Sequence, residues 1–289
     1  MFGKAVYKAC AKLNLCLDVI GTRADGYHLL ESVMQSISLA DTVSVRKNSK
    51  ISVVCREIDV PQEKNIAYKA AKAFFEFVKI ENKGAVIKIK KKIPSQAGMG
   101  GGSADAAAVL VALNHLYKTR LTESELCKIG EKVGADVPFC ISGGTKLVRG
   151  IGEVLTKLDD CHNCYFVVVK GTEGVSTKEA YDDLDNAKVI PNLRIEKVIE
   201  ALSVGEFAAL KGKLINVFEH TTRLTSIRET VSRLRSLGAI EAAMTGSGSA
   251  VFGLFLKRKD AKKCAKQLKK DYPFVCVAKP SVVGVFKVL

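Results

Sequence analysis

Between Pro94 and Asp105 the chain reads Pro-Ser-Gln-Ala-Gly-Met-Gly-Gly-Gly-Ser-Ala-Asp, and it leads into Ala104–Tyr117, a stretch that is apolar on nearly every side. A helix of that kind must be buried on most of its surface. The fold therefore has to surround 104–117 with other elements and still leave the glycines free at its start. Glycine lets backbone N–H groups come close to a ligand and adopt positive φ, and the unpaired amides at a helix start add partial positive charge. Phosphate is the ligand such a pocket suits. The spelling is not that of a Walker loop, because no Ser or Thr follows any Gly-Lys, and not G-x-G-x-x-G, because Ser103 takes the last place. A flexible hairpin turn is the plainer alternative, although a turn has no need to feed a long buried helix. A second glycine cluster, Thr245-Gly246-Ser247-Gly248-Ser249, links two apolar runs and by itself fits a hairpin as well as a ligand loop.

Phosphoryl transfer needs a cradle for the donor phosphates, a cation near the transferred group and a residue that orients or deprotonates the attacking hydroxyl. The glycine segment supplies the first. Near the N-terminus Ala9, Ala11, Leu13, Leu15 and Leu17 alternate with Cys10, Lys12, Asn14, Cys16 and Asp18, the period of a half-buried strand. Lys12 and Asn14 share its polar face, which makes Lys12 either the cation or an ordinary exposed lysine. Asp136, in Gly134-Ala135-Asp136-Val137-Pro138-Phe139, sits in a loop constrained by proline. It is either a base or a cap on the next turn.

The rest of the chain bounds the answer. Its 289 residues allow two domains, each able to bury a core unaided. Strand-like runs at Val33–Leu39, Thr42–Arg46, Ile51–Val54 and Ala85–Lys90 surround one helical pattern at 65–79 with Asn65 as N-cap. Thr122-Glu123-Ser124-Glu125 spells a capping box for a helix ending at Gly134. After Cys164 come a strand at Tyr165–Lys170, helical stretches between Thr177 and Leu237, then strand, hairpin, helix and strand from Ala239 to Ala278. The reading is of domains at 1–160 and 161–289. No run reaches the roughly 18 apolar residues of a membrane span, and the first residues lack a signal-peptide pattern, so a cytoplasmic protein is expected. Nine cysteines, an odd and scattered set, read as reduced thiols; Cys161-His162-Asn163-Cys164 has the spacing of half a zinc or redox site with no second half. A net charge of +15 favours anionic partners without choosing among them.

Lys12-Leu13-Asn14-Leu15, the segment Pro94 to Ala107 and Thr245-Gly246-Ser247-Gly248 stand in an order that resembles the GHMP kinases, the superfamily of galactokinase, homoserine kinase, mevalonate kinase and phosphomevalonate kinase. Within it, Ala11-Lys12-Leu13-Asn14-Leu15 followed by Gly21-Thr22-Arg23-Ala24-Asp25-Gly26-Tyr27-His28 is similar to the branch that acts on a cytidine diphosphate ester. The resemblance implies an α+β chain of two domains, an N-terminal ATP-binding domain like the second domain of ribosomal protein S5 and a C-terminal α/β sandwich, with the active site between them. It implies ATP-dependent phosphorylation of the 2-hydroxyl of a cytidine-diphosphate-linked methylerythritol, a step toward isoprenoid precursors.

Residue by residue, the resemblance implies that Asp136 takes the substrate proton while Lys12 steadies its charge and that of the phosphate. Pro94, Ser95, Gln96, Ala97, Gly98, Met99, Gly100, Gly101, Gly102, Ser103 and Ala104 would wrap the ATP phosphates. Asn65 would lie near the adenine, and Ser103 would face the phosphates or Mg2+, whose acidic ligand the sequence does not identify. Tyr27 and His28 would hold the cytidine, Tyr181 would stack on its base, and Asn14, Thr245 and Gly246 would complete the acceptor side. Cys10 and Met99 depart from the usual proline and leucine with side chains that fill the same space. The implied partner is a small molecule, with neither nucleic acid nor membrane, acting as monomer or homodimer. A homoserine- or mevalonate-type kinase is the alternative. A basic RNA-binding module is the rival from another class, but the chain has no Trp, and its 12 Phe and 7 Tyr sit mostly on apolar faces.

Overall fold

The computed structural model describes residues 3–57, 60–81, 83–187 and 194–288. Its first strands, β1 (Lys4–Thr22) and β2 (His28–Asn48), form one long antiparallel hairpin that turns at 23–27. The two runs expected at Val33–Leu39 and Thr42–Arg46 are a single strand. The break in their alternation is a register shift, since Cys10 pairs with Ala40 while Ala11 pairs with Ile37. A bulge interrupts a pattern without ending the strand.

There follow β3 (Ser52–Cys55), α1 (Ile66–Val78), β4 (Gly84–Lys90), α2 (Gly101–Tyr117), α3 (Glu123–Glu131), α4 (Val137–Ser142), β5 (Thr145–Arg149) and β6 (Val154–Lys157). Beyond them lie β7 (Tyr165–Lys170), α5 (Thr177–Asp185), α6 (Ile195–Ser203), α7 (Phe218–Thr221), α8 (Thr225–Ser236), β8 (Glu241–Met244), β9 (Val251–Phe255), α9 (Arg258–Leu268), β10 (Phe274–Ala278) and β11 (Val285–Lys287). The first sheet runs β11-β1-β2-β4-β3, with β5 branching onto β2 and β6 onto β5. It is mixed, because β3 and β4 are parallel and its other pairs antiparallel. The second sheet, β10-β7-β9-β8, is antiparallel throughout.

Local chemistry sets the helix ends. Asn65 accepts from the Ala67 amide at 2.9 Å to cap α1, and Thr122 and Glu125 form both halves of the capping box of α3. That helix stops at Glu131, short of Gly134, and the chain then turns through bonds from Val133 and Gly134 to the Gly130 carbonyl. Helix α2 starts three residues before Ala104, since Gly100 takes φ +65° and lets the chain enter the helix from inside the glycine segment. It packs on β1 and β2 and touches α1, α3 and α4, which accounts for its apolar surface all round.

β1 differs from the half-buried strand its alternation suggests. Both faces are buried: Ala9, Ala11 and Leu13 on one, Cys10, Lys12 and Asn14 on the other. The apolar face joins the core under α1 and α2, and the polar face is enclosed by the glycine segment and the second sheet's loops. Along β7, Phe166 and Val168 face that same core while Val167 and Val169 face a second one with Val231, Leu234, Ala261 and Leu268 of α8 and α9. The second sheet is thus covered on both faces. The last strand, β11, returns to pair with β1 in the first sheet.

All nine cysteines are free; Cys161 and Cys164 are buried with their Sγ atoms 3.3 Å apart. No helix among the described residues is long and apolar enough to cross a membrane.

Candidate active site

The site begins on β1. Bulges flank Lys12 and Asn14 on both sides, at Cys10/Ala11 and Asn14/Cys16, and fix where the two side chains leave the strand. Lys12 is 4% exposed, and its ammonium donates to Asn14 Oδ1 at 2.6 Å. Asn14 Nδ2 in turn donates to the Ser32 hydroxyl, and Ser32 to the Cys16 carbonyl. A buried lysine needs such partners. The remaining partner is Asp136, whose Oδ2 lies 3.5 Å from Lys12 Nζ. Asp136 occupies the N-cap position of α4, yet its side chain makes no capping bond. Its carboxylate is turned into the cleft instead.

The glycine segment lies against this pair. The Lys12 amide donates to the Met99 carbonyl at 3.1 Å. A Cβ added to Gly100 would stand 3.0 Å from Lys12 Cγ and 3.7 Å from Asp136 Oδ2. Thr245, fully buried, joins the third motif to the other two: its hydroxyl accepts from the Asn14 amide at 2.9 Å and donates to the Gly98 carbonyl at 3.3 Å. Gly98 needs to be glycine, because it has φ +68° and a Cβ there would stand 2.0 Å from the Thr245 carbonyl oxygen. The first-turn amides of α2 have no intrahelical acceptor, and Gly100 through Ser103 line the cleft at this point.

Three motifs separated by more than 200 residues thus wall a single cavity of about 950 Å³. Lys12, Asn14, Tyr27, His28, Pro94 through Ser103, Asp136, Tyr181 and Gly246 all line it. Three expected residues do not. Asn65 spends its carboxamide on the cap of α1, although Ile66 beside it lies 3.2 Å from where a Gly102 Cβ would be. Ala104 is buried in the core, and Thr245 acts from behind the wall.

Lys91 also lines the cleft and went unread in the sequence, where it stands inside the run Lys90-Lys91-Lys92. Its ammonium donates to the buried carboxylates of Asp41 and Asp105, the latter at 2.6 Å. Burial pushes the Asp105 carboxyl up to about 7, against the pull of Lys91 and with the help of Asp41's charge. Among the described residues its Oδ1 has no hydrogen-bond partner. A proton on Asp105 leaves Lys91 and Asp41 as a single ion pair, the cheaper state for a buried cluster. Asp41 also accepts from the Ile93 amide at 2.9 Å, which ties the cluster to the chain entering the glycine segment.

The far end of the cleft is aromatic. His28 stacks on Tyr181 with ring centroids 4.5 Å apart, and Tyr181 meets Phe218 edge-on at 5.0 Å. His28 Nε2 lies 2.7 Å from Asp185 Oδ1. Tyr181 is held up at about 12, mainly by burial and then by the charge of Asp136. Tyr27, at the hairpin tip, is 60% exposed and lines the mouth of the cleft. Phe218 enters from an element remote in the chain, and Asp185, one turn after Tyr181 on α5, carried no signal of its own because its partner His28 lies 157 residues away.

Among the described residues no three His, Cys, Asp or Glu side chains converge as a metal site. The arrangement offers a polyanion cradle, an ammonium beside a carboxylate, and an aromatic slot that fits a planar base.

The family models for the GHMP kinases N terminal domain and the GHMP kinases C terminal region match residues 65–144 and 198–273. The 4-diphosphocytidyl-2-C-methyl-D-erythritol kinase of Clostridium tetani is 41% identical over 276 residues, covering 94% of this chain and 98% of that protein. That of Alkaliphilus metalliredigens is 43% identical over 266 residues, covering 90% and 91%. A crystal structure of a 4-(cytidine 5'-diphospho)-2C-methyl-D-erythritol kinase matches with a TM-score of 0.80 at 33% identity, over 96% of this chain and 100% of the other. Homoserine kinase from Cytophaga hutchinsonii, at 19% identity and a TM-score of 0.79 over 99% and 97% of the two chains, shares the fold.

Proposed function

This chain belongs to the 4-diphosphocytidyl-2-C-methyl-D-erythritol kinases of the GHMP kinase superfamily, and we propose that Lys12 and Asp136 carry its reaction, transfer of the γ-phosphoryl group of ATP to the 2-hydroxyl of 4-diphosphocytidyl-2-C-methyl-D-erythritol. Asp136 accepts the hydroxyl proton on Oδ2 as the alcohol oxygen bonds to the γ-phosphorus. The bond from that phosphorus to the β–γ bridging oxygen breaks, and ADP leaves with the electron pair. Lys12 stands where negative charge is shared between the base and the phosphoryl oxygens, which is the placement that stabilises such a transition state. Asn14 is the positioning residue that aims the lysine.

Gly98 through Ser103 cradle the donor phosphates through backbone amides, and Lys91, its charge already matched by Asp41, braces the same wall. Mg2+ shields phosphate charge when bound. It commonly takes most of its oxygens from phosphates and water and only one or two from protein, and the Ser103 hydroxyl would be the loop's own ligand for it. At the other end Tyr27, His28 and Tyr181 hold the cytidine.

The observation that carries this reading is the 3.5 Å approach of Lys12 Nζ to Asp136 Oδ2 directly beneath Gly100. Its test is ADP release from ATP with a panel of alcohols. Turnover with the cytidine diphosphate ester and none with homoserine or mevalonate is expected; the reverse pattern overturns the assignment.

A further inference from the structure

A second concavity, of about 590 Å³, lies where α9 and β10 approach β2, and it shares no lining residue with the catalytic cleft. Arg258, Lys262, Lys266 and Lys269 line it at steps of four, four and three residues. At about 100° per residue they fall within an arc of about 80°. That arc borders the face by which Ala261, Ala265 and Leu268 pack on the sheet, so the cations overhang the cavity. Lys279, just beyond β10, completes the set. All five are exposed, and among the described residues none has an ion-pair partner. Asp260, the carboxylate of α9, lies two residues from Arg258 and about 200° round the helix.

Solvation of an outer helix face explains Lys259 and Lys263, which lie about 100° and 140° round from Arg258 and carry the basic surface on past the cavity. It does not explain like charges gathered at four-residue steps, which disfavour the helix that carries them, over a concave floor. Tyr165 forms part of that floor, and Ser38 fixes Lys279 by a reciprocal pair of bonds, donating its amide to the Lys279 carbonyl at 2.8 Å and accepting the Lys279 amide on Oγ at 3.0 Å. The volume falls within the roughly 300–1,000 Å³ of small-molecule sites. A single aromatic is not the row of platforms that single-stranded nucleic acid uses.

We propose that this cleft is a second anion site, which binds a low-molecular-weight ligand carrying two or more phosphates. The proposal is independent of the roles given to Lys12 and Asp136.

The test is an amide NMR titration of the whole protein with inorganic tripolyphosphate. Saturable shifts of the Arg258–Leu268 amides and of Tyr165 are expected, at concentrations at least tenfold below those needed with orthophosphate. In the Lys262→Glu/Lys266→Glu variant those shifts should weaken at least tenfold, while the Gly98–Ser103 amides respond as in the wild type and kcat/KM is unchanged. A parallel titration with uridine triphosphate separates the two sources of such a ligand: tighter binding that Tyr165→Leu abolishes identifies a nucleotide, and equal binding identifies the phosphates alone. Immobile α9 amides, equal shifts in the variant, or displacement by a single-stranded oligonucleotide at lower concentration than tripolyphosphate overturns the proposal.

Discussion

Lys12 Nζ and Asp136 Oδ2 lie 3.5 Å apart although their residues are on a strand and at a helix start more than 120 positions distant, and Asn14 holds the lysine at that spot through a 2.6 Å bond. The carboxylate has no other assigned work, since it does not cap α4. Asp136→Asn is therefore expected to lower kcat by about 10²–10⁴, the usual effect of removing a general base. Binding of a non-hydrolysable ATP analogue should stay within about threefold, because no contact to the phosphate cradle is lost. Steady-state kinetics with equilibrium binding decide it; kcat within tenfold of wild type removes Asp136 from the reaction.

Two glycines of the cradle should respond in opposite ways to the same substitution. Gly98→Ala sets a Cβ 2.0 Å from the Thr245 carbonyl at φ +68°. The backbone strain alone is worth about 1–3 kcal/mol, and the clash adds to it. Gly102 is already helical, and its added Cβ would meet only the Cγ2 methyl of Ile66 at 3.2 Å, which has to give by a few tenths of an ångström. Helix propensity favours Ala there by about 1 kcal/mol, which offsets the crowding. Denaturant unfolding of the two variants should show a large loss for Gly98→Ala and a change within about 1 kcal/mol for Gly102→Ala. Equal losses would mean that the loop's backbone contact with Thr245 is unimportant.

What could be read from the chain was mostly local. The strand at Tyr165–Lys170, the cap at Asn65, the capping box at Thr122 and the helix start inside the glycine segment all rest on residues within a few positions of one another, and each stands at or within a few residues of where its pattern puts it. The polar face of β1 was legible as a face but not as a buried one, because what covers it arrives from residues 99 and 245. Lys91 was hidden for the same reason: a lysine among lysines becomes distinctive only once Asp41, fifty residues earlier, is folded against it. The cluster at 245–249 fitted a hairpin and a ligand loop equally well; it is the hairpin joining β8 to β9, and what ties it to the cleft, the bonds of the Thr245 hydroxyl to Asn14 and Gly98, lies on other motifs. Charge pairing and aromatic stacking at long range leave no period in a sequence.

At the aromatic end, Tyr27 is the exposed member and His28 the one already anchored, on Tyr181 and Asp185. Neither reaches the Lys12–Asp136 pair. Tyr27→Ala and His28→Ala should each raise KM for the cytidine substrate about tenfold or more and leave KM for ATP and kcat within about threefold, the pattern of lost binding rather than lost chemistry. Asp185→Asn should have a smaller effect of the same kind, since its carboxylate is exposed and acts through His28. A change confined to ATP affinity would place the nucleoside elsewhere.

Glu219 gives the protein a pH dependence unrelated to catalysis. Burial pushes its carboxyl up to about 7, with the Met244 amide and Arg235 opposing, the charge of Glu241 adding to the rise and Arg228 opposing it. An unfolded chain releases that proton near 4.3. The folded state therefore holds it more tightly: the contribution to stability is full below about 4.3 and is lost as pH rises toward about 7. Gln at this position keeps an oxygen for the Met244 amide, which Glu219 Oε1 accepts at 2.6 Å, and carries no charge at any pH. Glu219→Gln should thus be more stable than the wild type at pH 8, by about 1–2 kcal/mol for a half-buried group, with the difference shrinking toward pH 5. Denaturant midpoints of both proteins at the two pH values measure it, and an equal pH slope in both would show that Glu219 is ionised throughout.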